Sequence, residues 1–311
     1  MARLRAHPGL LGTAGALWIA FSAIFVRLSE ASPSTAAVFR CLYALPFLGL
    51  LAAYERRRYG PRAWGQRALA VGAGALLAGD LLFWHHSIEA VGAGLATVLA
   101  NTQVVFVGLL AWALLGERPE PRSLLAVPVV LVGVVLISGA LGAGAYGRDP
   151  VLGVTFGVAT ALMYSSYLLV LRAGNRDLRR PAGPLFDASA SATVVAALGG
   201  LVTGDLDLAP EWPSHGWLFV LALTAQVLGW LLISTSLPRL PALMTSLLLT
   251  IQPVASVILA MVLLGERPSA VQLVGVVTIL AGLGIATLGR RGGAIETVPE
   301  RGLEAATREP V

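Results

Sequence analysis

No lysine occurs anywhere in this 311-residue chain, and there is only one cysteine, Cys41. Without lysine there is no Walker lysine to hold nucleotide phosphates and no amine to form a Schiff base with retinal or pyridoxal phosphate. A single cysteine rules out an internal disulfide and any cysteine-cluster metal site. Charge is scarce as well: charged residues make up 13% of the chain against 56% hydrophobic, and the mean hydropathy is +0.78. That balance excludes an ordinary soluble domain and places the chain in lipid.

Crossing about 30 Å of hydrocarbon takes roughly 20 apolar residues as a helix, and a backbone in lipid has no water to bond to, so the options are helices or a closed barrel. Barrel strands alternate apolar and polar residues. Here the apolar runs are unbroken, as in LLAVPVVLVGVVLISGAL (124–141) and AVQLVGVVTILAGLGIATLG (270–289). Ten runs of this kind stand between charged or Pro/Gly punctuation, at 9–29, 33–54, 67–88, 94–115, 122–141, 150–172, 184–203, 214–237, 242–264 and 270–289. The first, behind Arg3 and Arg5, is long for the apolar region of a signal peptide and reads as an uncleaved first helix. The segment 290–311 is polar and aperiodic and reads as a disordered cytoplasmic tail.

All 22 basic residues are arginines, and their distribution orients the chain, because cytoplasmic loops carry the excess of positive charge. With the N-terminus inside, the cluster Arg56, Arg57, Arg58, Arg62 and Arg67, the pair Arg118 and Arg122, and the group Arg172, Arg176, Arg179 and Arg180 face the cytoplasm, as does Arg239. The acidic loop GDLDLAPEWPSHG (204–216) then lies outside. These charges are membrane-flank anchors, so no nucleic-acid partner is inferred from them.

The hexapeptide LLGERP occurs twice, at 114–119 and 149 residues later at 263–268, each time at the end of an apolar run. At the same offset Gln103 matches Gln252, and Gly133 matches Gly282. Two halves of five spans each, 9–141 and 150–289, place the motif after helices four and nine. An odd number of spans inverts the second copy, and inverted repeats are a hallmark of secondary transporters. The motif itself reads as structural: glycine ends a helix, glutamate and arginine sit at the interface, and proline starts the next helix.

With these residues the chain resembles the EamA-type repeats of the drug/metabolite transporter superfamily over roughly residues 10–290. Trp18, the stretch SPSTAAVFRCLYALPF with Arg40, and Gln252–Pro253 match the same pattern, while Val104 departs from it where a proline is usual, which argues against a break in helix four. The resemblance implies an all-α integral membrane fold of ten helices as two inverted five-helix repeats around a central cavity. It also implies both termini in the cytoplasm of a bacterium's inner membrane and export of small metabolites, often amino acids. The aromatic-amino-acid and amphiphile exporters are the subgroup it is most similar to. No cofactor is implied, and the expected partners are a small-molecule substrate and membrane lipids, with the chain a monomer or weak dimer.

Polar groups inside spans are the informative ones, since each costs about 3 kcal/mol at the bilayer centre unless it faces a bundle interior or a wet cavity. The substrate-binding candidates are Trp18, Arg40, Asp80, Trp84, His85, Asn101, Tyr164, Trp230 and Gln252. Asp80, Trp84 and Ser87 form one stripe of helix three and are expected to face the cavity; Asp80 also reads as a buried carboxyl pairing helices. Arg40 suits a substrate carboxylate or a structural partner. Thr97, Asn101 and Gly108 share a stripe of helix four. Gln103, about 200° round from Asn101, is expected to bond a neighbouring helix, and for Gln252 ligand and interhelical glue are both open. Trp18, Tyr164, Tyr167 and Trp230 are mid-span aromatics that either line a cavity or pack the core, whereas Trp64, Trp212 and Trp217 belong to interfacial belts. Asp80 is the one carboxylate near mid-span and the candidate proton carrier, with His85 or His86 as relay. Its lack of a counterpart in the second half favours facilitated diffusion.

Adjacent His85 and His86 diverge by about 100° on a helix, so no metal site is inferred. A lone mid-span aspartate does not make an intramembrane protease, and a membrane enzyme or a static scaffold remain the alternatives to a transporter. Reporter fusions after Arg58, Arg180 and Arg291 are expected to read cytoplasmic and those after Gly144 and Asp207 periplasmic. A cytoplasmic reading at Asp207 contradicts the inverted arrangement.

Overall fold

The computed structural model describes residues 8–116, 121–138, 145–174, 177, 179–209, 211–236 and 242–288. The expectations placed on Glu117, Arg118 and Pro119 of the first motif, on Gly144, Arg176 and Arg239, and on the tail from 290 lie outside the described residues. Among those described there are helices and no strand. They run α1 (Pro8–Ala20), α2 (Ser22–Ser29), α3 (Pro33–Leu42), α4 (Leu45–Tyr59), α5 (Trp64–Val91), α6 (Ala93–Asn101), α7 (Gln103–Leu115), α8 (Pro121–Ile137), α9 (Pro150–Gly174), α10 (Ala182–Thr203), α11 (Ser214–Leu221), a π-helical turn (Ala222–Gly229), α12 (Trp230–Ser236), α13 (Ala242–Leu263) and α14 (Ala270–Leu288).

Helix occupies each of the expected apolar segments. Among the described residues, seven stretches are long and apolar enough to cross a membrane, and three shorter apolar helices join them: Leu124–Ile137, Ile251–Leu263 and Ala270–Ile285. The fold is that of a multi-pass membrane protein.

Several of these stretches are interrupted, and each interruption has a local chemical cause. Between α3 and α4, Pro46 has no N–H to donate to the carbonyl of Leu42, and the chain takes a tighter turn in which the Ala44 amide bonds Cys41 O at 3.2 Å. Between α6 and α7 there is no proline, yet the helix breaks at Thr102. There the Thr102 hydroxyl donates to Leu99 O at 2.7 Å and its amide to the same carbonyl at 3.0 Å. A hydroxyl competing for a helix carbonyl loosens the ladder in this way. The expectation that Val104 argues against a break is therefore corrected. Ser22 does likewise at the α1/α2 junction, donating to Ile19 O at 2.6 Å.

The second LLGERP copy is described, and it differs from the simple cap expected of it. Gly265 does end the helix at φ 66°, and Arg267 is exposed. Glu266, however, is 3% exposed: its carboxylate accepts from Ala93 N at 2.6 Å and Gly94 N at 3.2 Å, the first amides of α6. Nor does Pro268 start the next helix. That start is made by Ser269 and Gln272, where the Gln272 side chain accepts from the Ser269 amide at 3.0 Å and the Gln272 amide donates to the Ser269 hydroxyl at 3.3 Å, a reciprocal capping box.

Helices from the two ends of the chain lie against one another in antiparallel pairs. Gly15 of α1 meets Ile233 of α12, while Gly229, ahead of α12, meets Ile19. Gly153 and Gly174 of α9 meet Val91 and Leu69 of α5. Gly133 of α8 meets Gly275 and Ile279 of α14, and Gly282 meets Val130. Between α10 and the α3/α4 stretch the same sense is held by polar contacts at the ends. Glu55 accepts from Ala182 N and Gly183 N at 3.0 and 2.9 Å, and Asp205 accepts from Ser34 N at 3.2 Å. Within lipid there is no hydrophobic drive between helices, so small residues that let backbones approach supply the contact instead. Buried apolar side chains form two clusters, one around Trp84, Leu95 and Leu99, the other around Leu77, Leu81 and Trp230.

The α8/α14 contact provides a test. A Cβ on Gly133 would stand 2.6 Å from Ile279 Cγ1 and 2.9 Å from Gly275 O, whereas one on Gly72 meets nothing within 4 Å. Gly133→Ala is expected to cost about 1–3 kcal/mol through overpacking, seen as a lowered Tm in detergent, with Gly72→Ala at or above the native Tm.

Candidate functional site

A cavity of about 290 Å³ opens among α1, α3, α5, the α6/α7 break, α9, α12 and α13. The breaks in the helices help to form it: Ile19 and Ser22 flank one and Asn101 and Gln103 the other, and all four side chains are on its wall.

The cavity's charge is carried by Arg40 and Asp80, which are 5% and 7% exposed. Arg40 is tied down. Its Nε donates to Gln226 Oε1 at 3.1 Å, and Gln226 Nε2 in turn donates to Ser189 Oγ at 3.0 Å. Its guanidinium carbon lies 5.6 Å from the centroid of the Trp84 ring, within cation–π range. Gln226 sits on the π-helical turn, a distortion that often marks functional positions. Asp80 is held differently: it lies within electrostatic reach of Arg40 but makes no hydrogen bond or ion pair with any described residue. The same is true of the side-chain amides of Gln103 and Gln252, which also line the cavity. Asn101 donates to Thr97 O at 2.8 Å, leaving its amide oxygen without a partner among the described residues.

One wall is aromatic. Trp230 meets Tyr164 edge-on at 6.0 Å and 74°, and Tyr167 at 5.8 Å and 87°; the two tyrosine rings stack at 6.0 Å and 15°. Tyr164 and Trp230 reach the cavity, and the fully buried Tyr167 backs them.

Seven of the nine expected residues come together here: Arg40, Asp80, Trp84, Asn101, Tyr164, Trp230 and Gln252. Trp18 and His85 do not. Trp18 is 41% exposed, because Gly15 and Ile19 hold the face of α1 that packs on α12 and the preceding residue is turned about 100° away. His85 is buried one step beyond Trp84, with Nδ1 3.0 Å from Pro33 O. Ser87 does not line the cavity either, its hydroxyl donating to Gly153 O at 2.8 Å, and neither does Gly108. Among residues not expected there, Gln103 is on the wall because the cavity takes a broad face of this span, with Thr97, Ala100, Asn101, Val104 and Val107, and at about 100° per residue Gln103 falls at the edge of that face. Gln226 and Ser189 carried no signal in the sequence beyond being polar in apolar spans.

With this geometry in place, comparison with known proteins decides the family. The model of the EamA-like transporter family matches twice, at residues 9–139 and 151–288. The chain belongs to that family. Its relatives include an uncharacterized transporter of Bacillus subtilis, YxxF, 26% identical over 279 residues that cover 88% of this chain and 87% of that protein. An uncharacterized transporter of Synechocystis is 29% identical over 146 residues, 41% of each chain. The fold is similar to that of a solved structure titled only as the crystal structure of a protein, with TM-score 0.58 and 20% identity, covering 91% of this chain and 97% of that one.

Within this EamA-like transporter, the Arg40–Gln226 bond is open to a double-mutant cycle. Arg40→Gln and Gln226→Leu are expected to show a coupling of about 1.5–3 kcal/mol in denaturant unfolding from detergent, the range for a hydrogen bond to a charged group. Simple additivity of the two substitutions is the contrary result.

Proposed function

We propose that this chain is a secondary transporter that exports small metabolites across a bacterial inner membrane, chiefly neutral or aromatic amino acids or amphiphilic compounds. Ten helices in two inverted five-helix repeats, 9–141 and 150–289, alternate access to the central cavity, with both termini in the cytoplasm. One observation carries the reading: the cavity draws its lining from both matched segments and combines an aromatic wall with polar side chains that have no partner among the described residues. A pocket of that composition suits a ligand with charged and flat apolar parts. Arg40 takes the substrate carboxylate, Asp80 its ammonium, and Trp84, Tyr164 and Trp230 its apolar body. The antiparallel pairing of early with late helices supports the inverted arrangement.

A static facilitator with the same cavity is the second reading, and flux distinguishes them. In liposomes holding the pure protein, saturable and substrate-selective flux of labelled amino acids is expected. Trp84→Ala, Tyr164→Ala and Trp230→Ala should each reduce it about tenfold, the cost of losing about 1.4 kcal/mol of ring contact. Trp18→Ala should leave it near native. The sole mid-span acid has Gly229 at the matching position of the second half, so facilitated diffusion is the expected driving mode. An imposed pH gradient then leaves the end point unchanged in the native protein. Gradient-driven accumulation that disappears in Asp80→Asn would instead make the carrier proton-coupled. Linear, unsaturable flux would count for the static facilitator.

A further inference from the structure

A second cavity, of about 280 Å³, lies where α4 ends and α5 and α10 begin. Four arginines line it, Arg56, Arg62, Arg67 and Arg180, against two carboxylates, Glu55 and Asp187. Both acids are already engaged. Glu55 accepts the Ala182 and Gly183 amides at 3.0 and 2.9 Å. Asp187 accepts from Arg62 Nη2 and stands 3.5 Å from Arg67 Nε. Arg180 is engaged as well, donating through Nη1 to Gly60 O at 3.1 Å and pairing through Nε with Asp177 at 3.0 Å. What remains is Arg62 Nη1, buried with no hydrogen-bond partner among the described residues, as is Arg180 Nε, which faces Asp177 as an ion pair without a hydrogen bond; beside them are the exposed Arg56 and Arg67. A buried guanidinium donor without an acceptor is costly, and an oxyanion able to take several such donors relieves that cost.

Part of the cavity lining is apolar. Gly49 brings the backbone close to the Phe186 ring, a Cβ there standing 3.2 Å from Phe186 Cε2, and Ala53 continues the surface. At the same end of the bundle Tyr54 and Trp64 are 59% and 79% exposed, and such amphipathic rings sit at headgroup depth. We infer that this cavity is a phosphate-binding site, with Arg62, Arg56 and Arg67 as the ligands. The apolar wall fits the phosphate of an anionic phospholipid whose acyl chain runs along Phe186, and basic pockets between spans recognise such headgroups. Free inorganic phosphate shares the chemistry of the arginines but not the use of the wall.

The test uses the full chain in detergent, with lipid binding read by native mass spectrometry and protection read as a Tm shift. The probes are phosphatidylglycerol, phosphatidylcholine and inorganic phosphate. Phosphatidylglycerol is expected to bind at least fivefold more tightly than phosphatidylcholine and to raise Tm. Arg56→Gln and Arg67→Gln should each weaken it about fivefold, as for loss of one arginine near an anionic headgroup. Arg62→Gln also breaks the pair with Asp187 and is the less clean variant, so Arg56, whose side chain has no partner among the described residues, carries the decision. Equal protection by inorganic phosphate, lost in Arg56→Gln, keeps the phosphate site and assigns it to a soluble anion. A phosphatidylglycerol preference that is absent, or that survives Arg56→Gln unchanged, overturns the proposal.

Discussion

Lipid offers a broken helix no water to bond to, and that constraint organises the cavity. A break at membrane depth survives only where side chains or neighbouring helices take over the freed backbone groups. In this chain they do. Ser22 and Thr102 return their hydroxyls to carbonyls three residues back, at Ile19 and Leu99. At Pro46 the chain tightens so that the Ala44 amide reaches Cys41 O. Ile19 and Ser22 of the first repair are on the cavity wall, Asn101 and Gln103 on either side of the second are there too, and the third follows Arg40 within a few residues. The breaks bring Ser22, Asn101 and Gln103 to the wall, while Arg40, Asp80, Tyr164 and Gln252 reach it from within helices.

Charge inside the cavity follows the same economy of partners. A buried arginine pays a desolvation penalty of several kcal/mol unless it is paired and hydrogen-bonded. Gln226, the Trp84 ring and the nearby Asp80 carboxylate share that compensation. Gln226 is fixed in turn by Ser189, so the guanidinium is positioned by a chain reaching from the π-helical turn to α10. Asp80 has no such support among the described residues. The site therefore holds one oriented cation and one carboxylate still short of hydrogen-bond donors, a polarity that favours a ligand bringing its own donor.

Much of this was legible from the sequence, and the misses have specific causes. Unbroken apolar runs locate the helices because lipid demands both length and hydrophobicity, and the spacing of Asp80 and Trp84 puts them on one wall because α5 is regular there. Periodicity gives direction around a helix, but neither how wide a face the cavity takes nor how far along the helix it runs. Gln103 lies at the edge of a broad face that includes Ala100 and Val107. Ser87 shares the stripe of Asp80 and Trp84 but does not line the cavity, and its hydroxyl is taken up by Gly153 O. Trp18 and His85 stand out in the sequence by residue type and depth, and neither property specifies direction around a helix. The Arg40–Gln226 bond joins residues 186 apart, a distance no local pattern spans.

The repeated hexapeptide was the plainest signal in the sequence, and its role lies away from the cavity. Glu266 closes on the first amides of α6, where the positive end of a helix stabilises a carboxylate. Burial pushes its carboxyl above the ordinary carboxylate value while the Ala93 and Gly94 amides pull it back. Gly92 makes room for it: at φ 92° it turns the chain into α6, and a Cβ there would stand 2.8 Å from the Glu266 carboxylate. Glu55 makes a matching contact with the start of α10. The helix pairs thus touch through glycines and aliphatic side chains along their lengths and through carboxylate-to-amide bonds at some of their ends. Apolar contacts of small residues can slide with little change in energy, but a carboxylate bonded to two amides is either made or broken. If the halves rock as proposed, the discrete steps of that motion reside in these end contacts, and the motif marks one of them.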